Sequence, residues 1–398
     1  MTTTQLIKAG RLIDGSGVAV RRDVFLAVQD TVIVAMGPAA DLPRTDPEAI
    51  DDFSHCTILP GLVDCSVVLS RSPALDMRVR QASEDSGPAE LEAMLARHIR
   101  YCHAYGVLGV ADSHENVDPP EQTIAKMARE SLVEIRTSGH PCRSLDDCHA
   151  TIQGDCDYLK IAYSSSIEDN DPSPARLSPE ELRRMLQLKG GKKAVVIANG
   201  RQRVREALAA GCDAIEQGYD MGKDNLRQMA ENNVLWIPGL LRAKNGLDSA
   251  GSGGEVCCRF SHRYVAPGKP LPGATAFWKK TLDQQLSLLN LAREMGVSTA
   301  VGTGAGSIGL LHGESMVEEM KLFIKAGYSL EETIHCASEN GARFFDMDGL
   351  GRLAVGRKAT FLISRGTVQQ LPRKLSYLEG IYINGRPSPT YHKNPVRA

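Results

Sequence analysis

Eight short apolar runs, spaced along the middle of the chain with helical patterns between them, constrain the fold more than any other feature. They are Ile58–Leu69, Gly106–Ala111, Leu132–Arg136, Asp157–Ala162, Ala194–Ala198, Ala214–Glu216, Val234–Ile237 and Val297–Gly302. Continuous apolar runs of this length, rich in β-branched residues, read as strands buried on both faces. Glu90–Tyr105, Pro120–Glu130 and Met316–Lys325 carry helical spacing. Ser178-Pro179-Glu180-Glu181 is a capping box with proline at the first helical position. Strand–helix alternation repeated eight times predicts an α/β chain folded as a parallel (β/α)8 TIM barrel. Function in such a barrel collects at the C-terminal ends of the strands, so the residues closing each run are the candidates.

Ahead of the barrel, Gln5–Asp14, Asp23–Asp30 and Thr31–Gly37 read as short strands joined by turns. The net charge of −2, with Lys and Arg scattered, leaves no field for nucleic acid or an anionic membrane. No apolar run approaches the roughly 18 residues of a membrane span, and the start lacks the charged and apolar regions of a signal peptide. The ten cysteines include no CxxC pair, and adjacent Cys257 and Cys258 match no disulfide scaffold or zinc ribbon. Unpaired thiols without a signal point to a reducing cytoplasm. Residues 246–275, rich in Gly, Ser and Pro and holding Cys257, Cys258 and His262, form a long irregular stretch. It reads as a lid over the barrel mouth or as a disordered excursion.

The stretch Pro60-Gly61-Leu62-Val63-Asp64 resembles the first barrel strand of the amidohydrolase superfamily, which continues there as x-His-x-His. Val204–Gly218, with Ala207-Leu208…Ala210-Gly211…Asp213…Ile215-Glu216, is similar to the imidazolonepropionase-like and Xaa-Pro dipeptidase-like branch. Gly302–Gly306, His312-Gly313-Glu314-Ser315 and Ala337–Arg343 extend the likeness in order and spacing. The resemblance implies a small β-sandwich built from both ends, residues 1–58 with 349–398, flanking a barrel over 59–348. In it, Gly349–Ile363 and Gly380–Arg386 return to complete the N-terminal strands.

The resemblance also implies a metal held by two strand-one histidines, a strand-four lysine, histidines on strands five and six and a strand-eight aspartate. Those positions hold Ser66, Val68, Lys160, Ile197, Gln217 and Gly304. Only Lys160 keeps the family residue, and Val68, Ile197 and Gly304 carry no donor atom at all. No cofactor is expected, and zinc enters only if this mapping is incomplete. The expectation is a degenerate member that lacks the metal-activated water, with a pocket that binds a small molecule or has been reused. One alternative is an active hydrolase of C–N bonds through a non-standard metal or metal-free site. Another is an inactive structural partner of an active paralogue. Related barrels commonly dimerise, so a homo-oligomer is expected.

Lys160 reads either as a working amine or as a relic paired with Asp64 or Asp112, and His140 is the other catalytic candidate. Asp64, Ser66, His114, Tyr163, Asn199, Arg201, Gln217, Tyr219, Thr303 and His312 are the candidates for lining the pocket, with Arg201 suited to a carboxylate. Asn199 and Gln217 can equally be fillers of the space a metal would leave. Cys65, by strand alternation, points away from Ser66.

Overall fold

The computed structural model describes residues 4–42, 50–113, 126, 129–130, 132–154, 156–164, 177–251 and 272–391. The chain begins with three strands, β1 (Thr4–Leu12), β2 (Arg21–Gln29) and β3 (Val32–Pro38), followed by β4 (Ile50–Pro60). After the barrel come β12 (Phe361–Arg365), β13 (Leu378–Ile383) and β14 (Arg386–Pro387). All seven join in one sheet of order β14-β13-β12-β4-β1-β2-β3, so the two ends of the chain build a single unit. Ile33 of β3 and Tyr382 of β13 share one core with Ile7, Leu26, Ile58 and Phe361, so the sheet curls around its own apolar face.

The apolar run at Ile58–Leu69 divides at Pro60-Gly61. Ile58 and Leu59 pair with Ile363 and Leu362 in the terminal sheet, whereas β5 (Leu62–Val67) is the first barrel strand. Proline has no N–H to give a ladder, which suits it to the last residue of a strand.

The barrel continues with β6 (Val107–Asp112), β7 (Glu134–Thr137), β8 (Leu159–Ala162), β9 (Ala194–Ala198), β10 (Ala214–Gln217) and β11 (Leu235–Ile237). β5-β6-β7 and β8-β9-β10-β11 are parallel ladders. Cys142 joins them, donating its N–H to Lys160 O (2.8 Å) and accepting from Ala162 N (3.0 Å). The eighth run closes the ring by single bonds rather than as a ladder. Ala300 N reaches Trp236 O on one side, and Cys65 N reaches Val301 O on the other. Glycines at 302, 304 and 306 interrupt what would be the strand, two of them at positive φ.

Helices pack outside the ring. The Ser178 box forms as read: Ser178 Oγ accepts from Glu181 N, and Glu181 accepts from Ser178 N (2.8 Å). The stretch read as irregular from 246 is helical at its start, because helix Leu240–Gly251 runs into it, and helix Ala274–Glu294 follows. Residues 252–271, with Cys257, Cys258 and His262, lie outside the described residues, as do His114 and most of 120–130. Among the described residues, no helix is long and apolar enough to cross a membrane.

Candidate functional site

The parallel register of β8, β9 and β10 sets the site. Lys160 pairs with Val195, and Glu216 pairs with Ile197, which in turn lies opposite Ala162. In-register residues share a face, so Lys160, Ile197 and Glu216 all face one side, with Glu216 one pleat nearer the C-terminal end. Lys160 Nζ meets Glu216 Oε2 at 2.8 Å, and each side chain is only 5% exposed. Ser66 Oγ donates to Glu216 Oε1 at 2.8 Å, bringing β5 into the same cluster. Burial alone would raise the Glu216 pKa. The Lys160 ammonium, the Arg242 guanidinium and the Ser66 hydroxyl outweigh it and hold the carboxyl below its usual range. The partner of Lys160 is therefore Glu216, not Asp64 or Asp112, which instead serve the backbone.

Asp64 accepts from Thr303 N (2.9 Å), Thr303 Oγ1 (2.6 Å) and Ser66 N (3.2 Å), tying β5 to the closing segment. Burial still pushes its pKa up to about 6. Asp112 accepts from Leu69 N at 2.8 Å.

Arg242 was not among the sequence candidates. It lies in the first turn of helix Leu240–Gly251, whose N-terminal N–H groups at Leu240 and Leu241 are bound by the buried Glu319 carboxylate at 2.8 and 2.6 Å. Its guanidinium lies flat against Gly304 (φ 68): a Cβ built there would sit 2.5 Å from Nε and Nη2. Any side chain at 304 would displace it. Gly304 N donates to Ser66 O (2.8 Å), so the guanidinium stands beside the cluster.

Gln217 is buried and carries a left-handed backbone, φ 72. Trp236 Nε1 (3.0 Å) and Gln285 Nε2 (2.7 Å) hold its carbonyl in that conformation. Its Oε1 accepts from Asn199 Nδ2 (2.7 Å). Asn199 also accepts from Tyr219 N (3.0 Å), and Tyr219 donates its hydroxyl to Gly239 O (2.6 Å).

Other candidates lie apart from this cluster. Tyr163 gives its hydroxyl to Glu206 (2.5 Å) and accepts from Arg203 (2.9 Å), both on helix Arg201–Ala210. His312 is buried with its ring stacked 4.0 Å from His98, and its Nε2 donates to Val68 O (3.0 Å). That places it behind the end of β5 as a packing group rather than a pocket wall. His140 is exposed after β7, whereas the Lys160 amine is engaged by Glu216 and Ser113. Arg201 stands on a surface cleft of about 710 Å³ shared with Lys223, Lys279 and Lys280. Cys65 points outward as alternation requires, its sulfur 2.5 Å from where a Gly341 Cβ would be, and burial holds its thiol protonated.

The donor set does not fit a divalent cation. Two cationic side chains, Lys160 and Arg242, lie at the cluster, its Glu216 carboxylate is bound to the lysine, and Asp64 is engaged by Thr303 and Ser66. Among the described residues, no group of three or more His, Cys, Asp or Glu side chains is arranged to hold a metal.

The model of the amidohydrolase family matches residues 170–386, more than half of the chain. No curated protein matches it significantly. Among solved structures, a Xaa-Pro dipeptidase with methionine bound in its active site superposes with a TM-score of 0.79 at 18% identity, covering 97% of this chain and 100% of that one. An ochratoxinase from A. niger gives 0.78 at 17%, covering 97% and 95%. A putative prolidase from Bifidobacterium longum gives 0.75 at 17%, covering 98% and 95%. At these identities the likeness is one of fold.

Proposed function

Since the chain belongs to the amidohydrolase family, we propose that it is a member which has given up the metal-activated water and uses the barrel mouth as a metal-free small-molecule pocket. The buried Lys160–Glu216 pair carries this reading. A lysine engaged at 2.8 Å by an ionised carboxylate is not available to a metal, and as an ammonium it repels one. The arrangement offers a fixed polar wall made of Lys160, Glu216, Ser66 and Arg242, suited to orienting a ligand rather than activating water. The free, buried thiols at Cys56, Cys65, Cys102, Cys142, Cys148, Cys156, Cys212 and Cys336 support a reducing compartment. Elemental analysis of protein purified without added metal or chelator tests the proposal. Metal well below one equivalent, with no hydrolysis of Xaa-Pro dipeptides, upholds it; near-stoichiometric zinc or manganese with turnover overturns it.

A second reading draws on Asp64, whose carboxyl titrates near 6 and so exchanges a proton close to neutral pH. On this reading the mouth performs metal-free acid–base chemistry on a C–N bond, and Asp64→Asn abolishes any turnover that metal-free protein shows.

A further inference from the structure

We propose that the cleft formed where helices Arg201–Ala210 and Lys223–Asn232 begin is a binding site for a small molecule carrying a phosphate group. It shares no residue with the Lys160–Glu216 cluster. The cleft, of about 710 Å³, is lined by Arg201, Lys223, Lys279 and Lys280, and also by Asp220 and Asp283. Its cations come from three elements: Arg201 and Lys223 each open a helix, and the other two lie on helix Ala274–Glu294. Among the described residues, none of the four side chains has an ion-pair partner, although two carboxylates share the cleft. Elsewhere basic side chains on the surface find one: Lys189 meets Asp213 at 2.6 Å, and Arg293 meets Glu332 at 2.9 Å. A concave surface that sets four cations against two acids, on a chain of net charge −2, selects for an anion.

The second observation is where two of these cations stand. The first turn of a helix carries partial positive charge and favours acidic side chains. Helix Arg201–Ala210 has no acidic residue in its first turn and begins with arginine, and helix Lys223–Asn232 begins with lysine ahead of Asp224. Gly200 (φ 80) and Gly222 (φ 78) cap the two, so neither cap has a side chain to accept from the leading N–H groups. Gly222 also lets Arg201 lie across the start of the second helix: a Cβ there would sit 3.3 Å from Nε and 3.4 Å from Cγ. Positive side chains are thus laid on positive helix ends, an arrangement that an entering anion relieves. The frame beneath is fixed. Buried Asn225 donates to Arg201 O (2.8 Å) and Met221 O (2.7 Å), and Gly200 N donates to Tyr219 O (2.7 Å). Lysines reaching from separate elements suit a tetrahedral, multiply charged oxyanion better than a planar carboxylate. The cleft is larger than a phosphate group alone, and Ala276 and Leu288 offer apolar surface to the organic part of an ester.

Calorimetric titration of the full chain at low salt with AMP and with pyrophosphate, and with succinate as a carboxylate control, tests the proposal. The expected result is saturable binding of at least one of the two phosphate compounds, tighter than succinate. It should weaken by about tenfold or more in Arg201→Gln and in Lys280→Gln, both of which change exposed side chains. Lys325→Gln, at an exposed lysine outside the cleft, should leave it unchanged. Absence of saturable phosphate binding, tighter binding of succinate, or equal binding in wild type, Arg201→Gln and Lys280→Gln overturns the proposal. An equal loss in Lys325→Gln does so too, because it marks the cleft as an ordinary solvated face. Metal content and dipeptide hydrolysis do not enter this readout. Its failure therefore leaves the metal-free reading of the barrel mouth standing, and stoichiometric metal with turnover removes that reading alone.

Discussion

A lysine and a glutamate held at 2.8 Å inside a barrel are stable only as a pair. Removing one partner strands the other in a medium that solvates charge poorly, at a cost of about 3–5 kcal/mol, whereas replacing both with apolar groups of like size costs far less. Glu216→Leu and Lys160→Met singly should therefore lower the urea midpoint strongly. The double variant should recover most of the loss, and a double-mutant cycle with no coupling would contradict the pairing. At Gly304 the prediction is steric. Gly304→Ala must strain a positive-φ backbone by about 1–2 kcal/mol and push the Arg242 guanidinium aside. Unfolding and, once a ligand is known, affinity should both register it. The motif Ile215-Glu216-Gln217 was legible in the sequence, and so was the retained Lys160. That the two would pair was not, because the ladder register that aligns them is set by neighbouring strands. Arg242 left no signal at all: a lone arginine after Pro-Gly-Leu-Leu acquires meaning only when a distant glycine is found beneath it.

Elements are positioned by buried titratable groups, and this makes stability depend on pH from both sides. Burial raises Glu319, which holds the helix starting at Leu240, to about 8. The folded state then binds more protons than the unfolded one between the ordinary carboxyl value of 4.5 and about 8, so its contribution to stability declines as pH rises through that window. Glu319→Gln, which cannot titrate, should flatten the alkaline side of a plot of urea midpoint against pH. His98 acts with opposite sign. Burial lowers its pKa from 6.5 to about 4, so the unfolded state binds the extra proton in that window and stability falls on acidification. His98→Gln should flatten the acid side. Elements with strong local patterns, such as the Ser178 capping box and the Ala194–Ala198 strand, were legible residue by residue. The eighth run was legible as extended but not as a set of single bridges, since its glycines both let it approach its neighbours and prevent a regular ladder.

At the scale of the whole molecule, β4 leads through Pro60-Gly61 directly into β5, so the curled terminal sheet and the barrel share one unbroken path of chain. The two should unfold together. Phe361→Ala, which empties a fully buried site in the terminal sheet, should cost about 3–5 kcal/mol. It should shift the fluorescence transition of Trp236, far along the chain in the barrel, by the same midpoint as the circular dichroism transition. Separate midpoints would show two independent units. The barrel was legible because eight alternations admit few topologies, and its composite partner only through the family resemblance, whereas the order of strands in the terminal sheet depends on contacts between segments far apart in the chain.

That order has a consequence for synthesis. β4 lies between β1 and β12, and its neighbour on one side, Phe361–Arg365, is made only after the whole barrel. Throughout translation of the barrel, the nascent chain carries an apolar strand with one edge open, the kind of surface on which other chains aggregate. Any ribosome stall or premature stop before residue 361 leaves that edge exposed for good, so truncated products should be cleared by proteases or chaperones rather than accumulate as folded barrels.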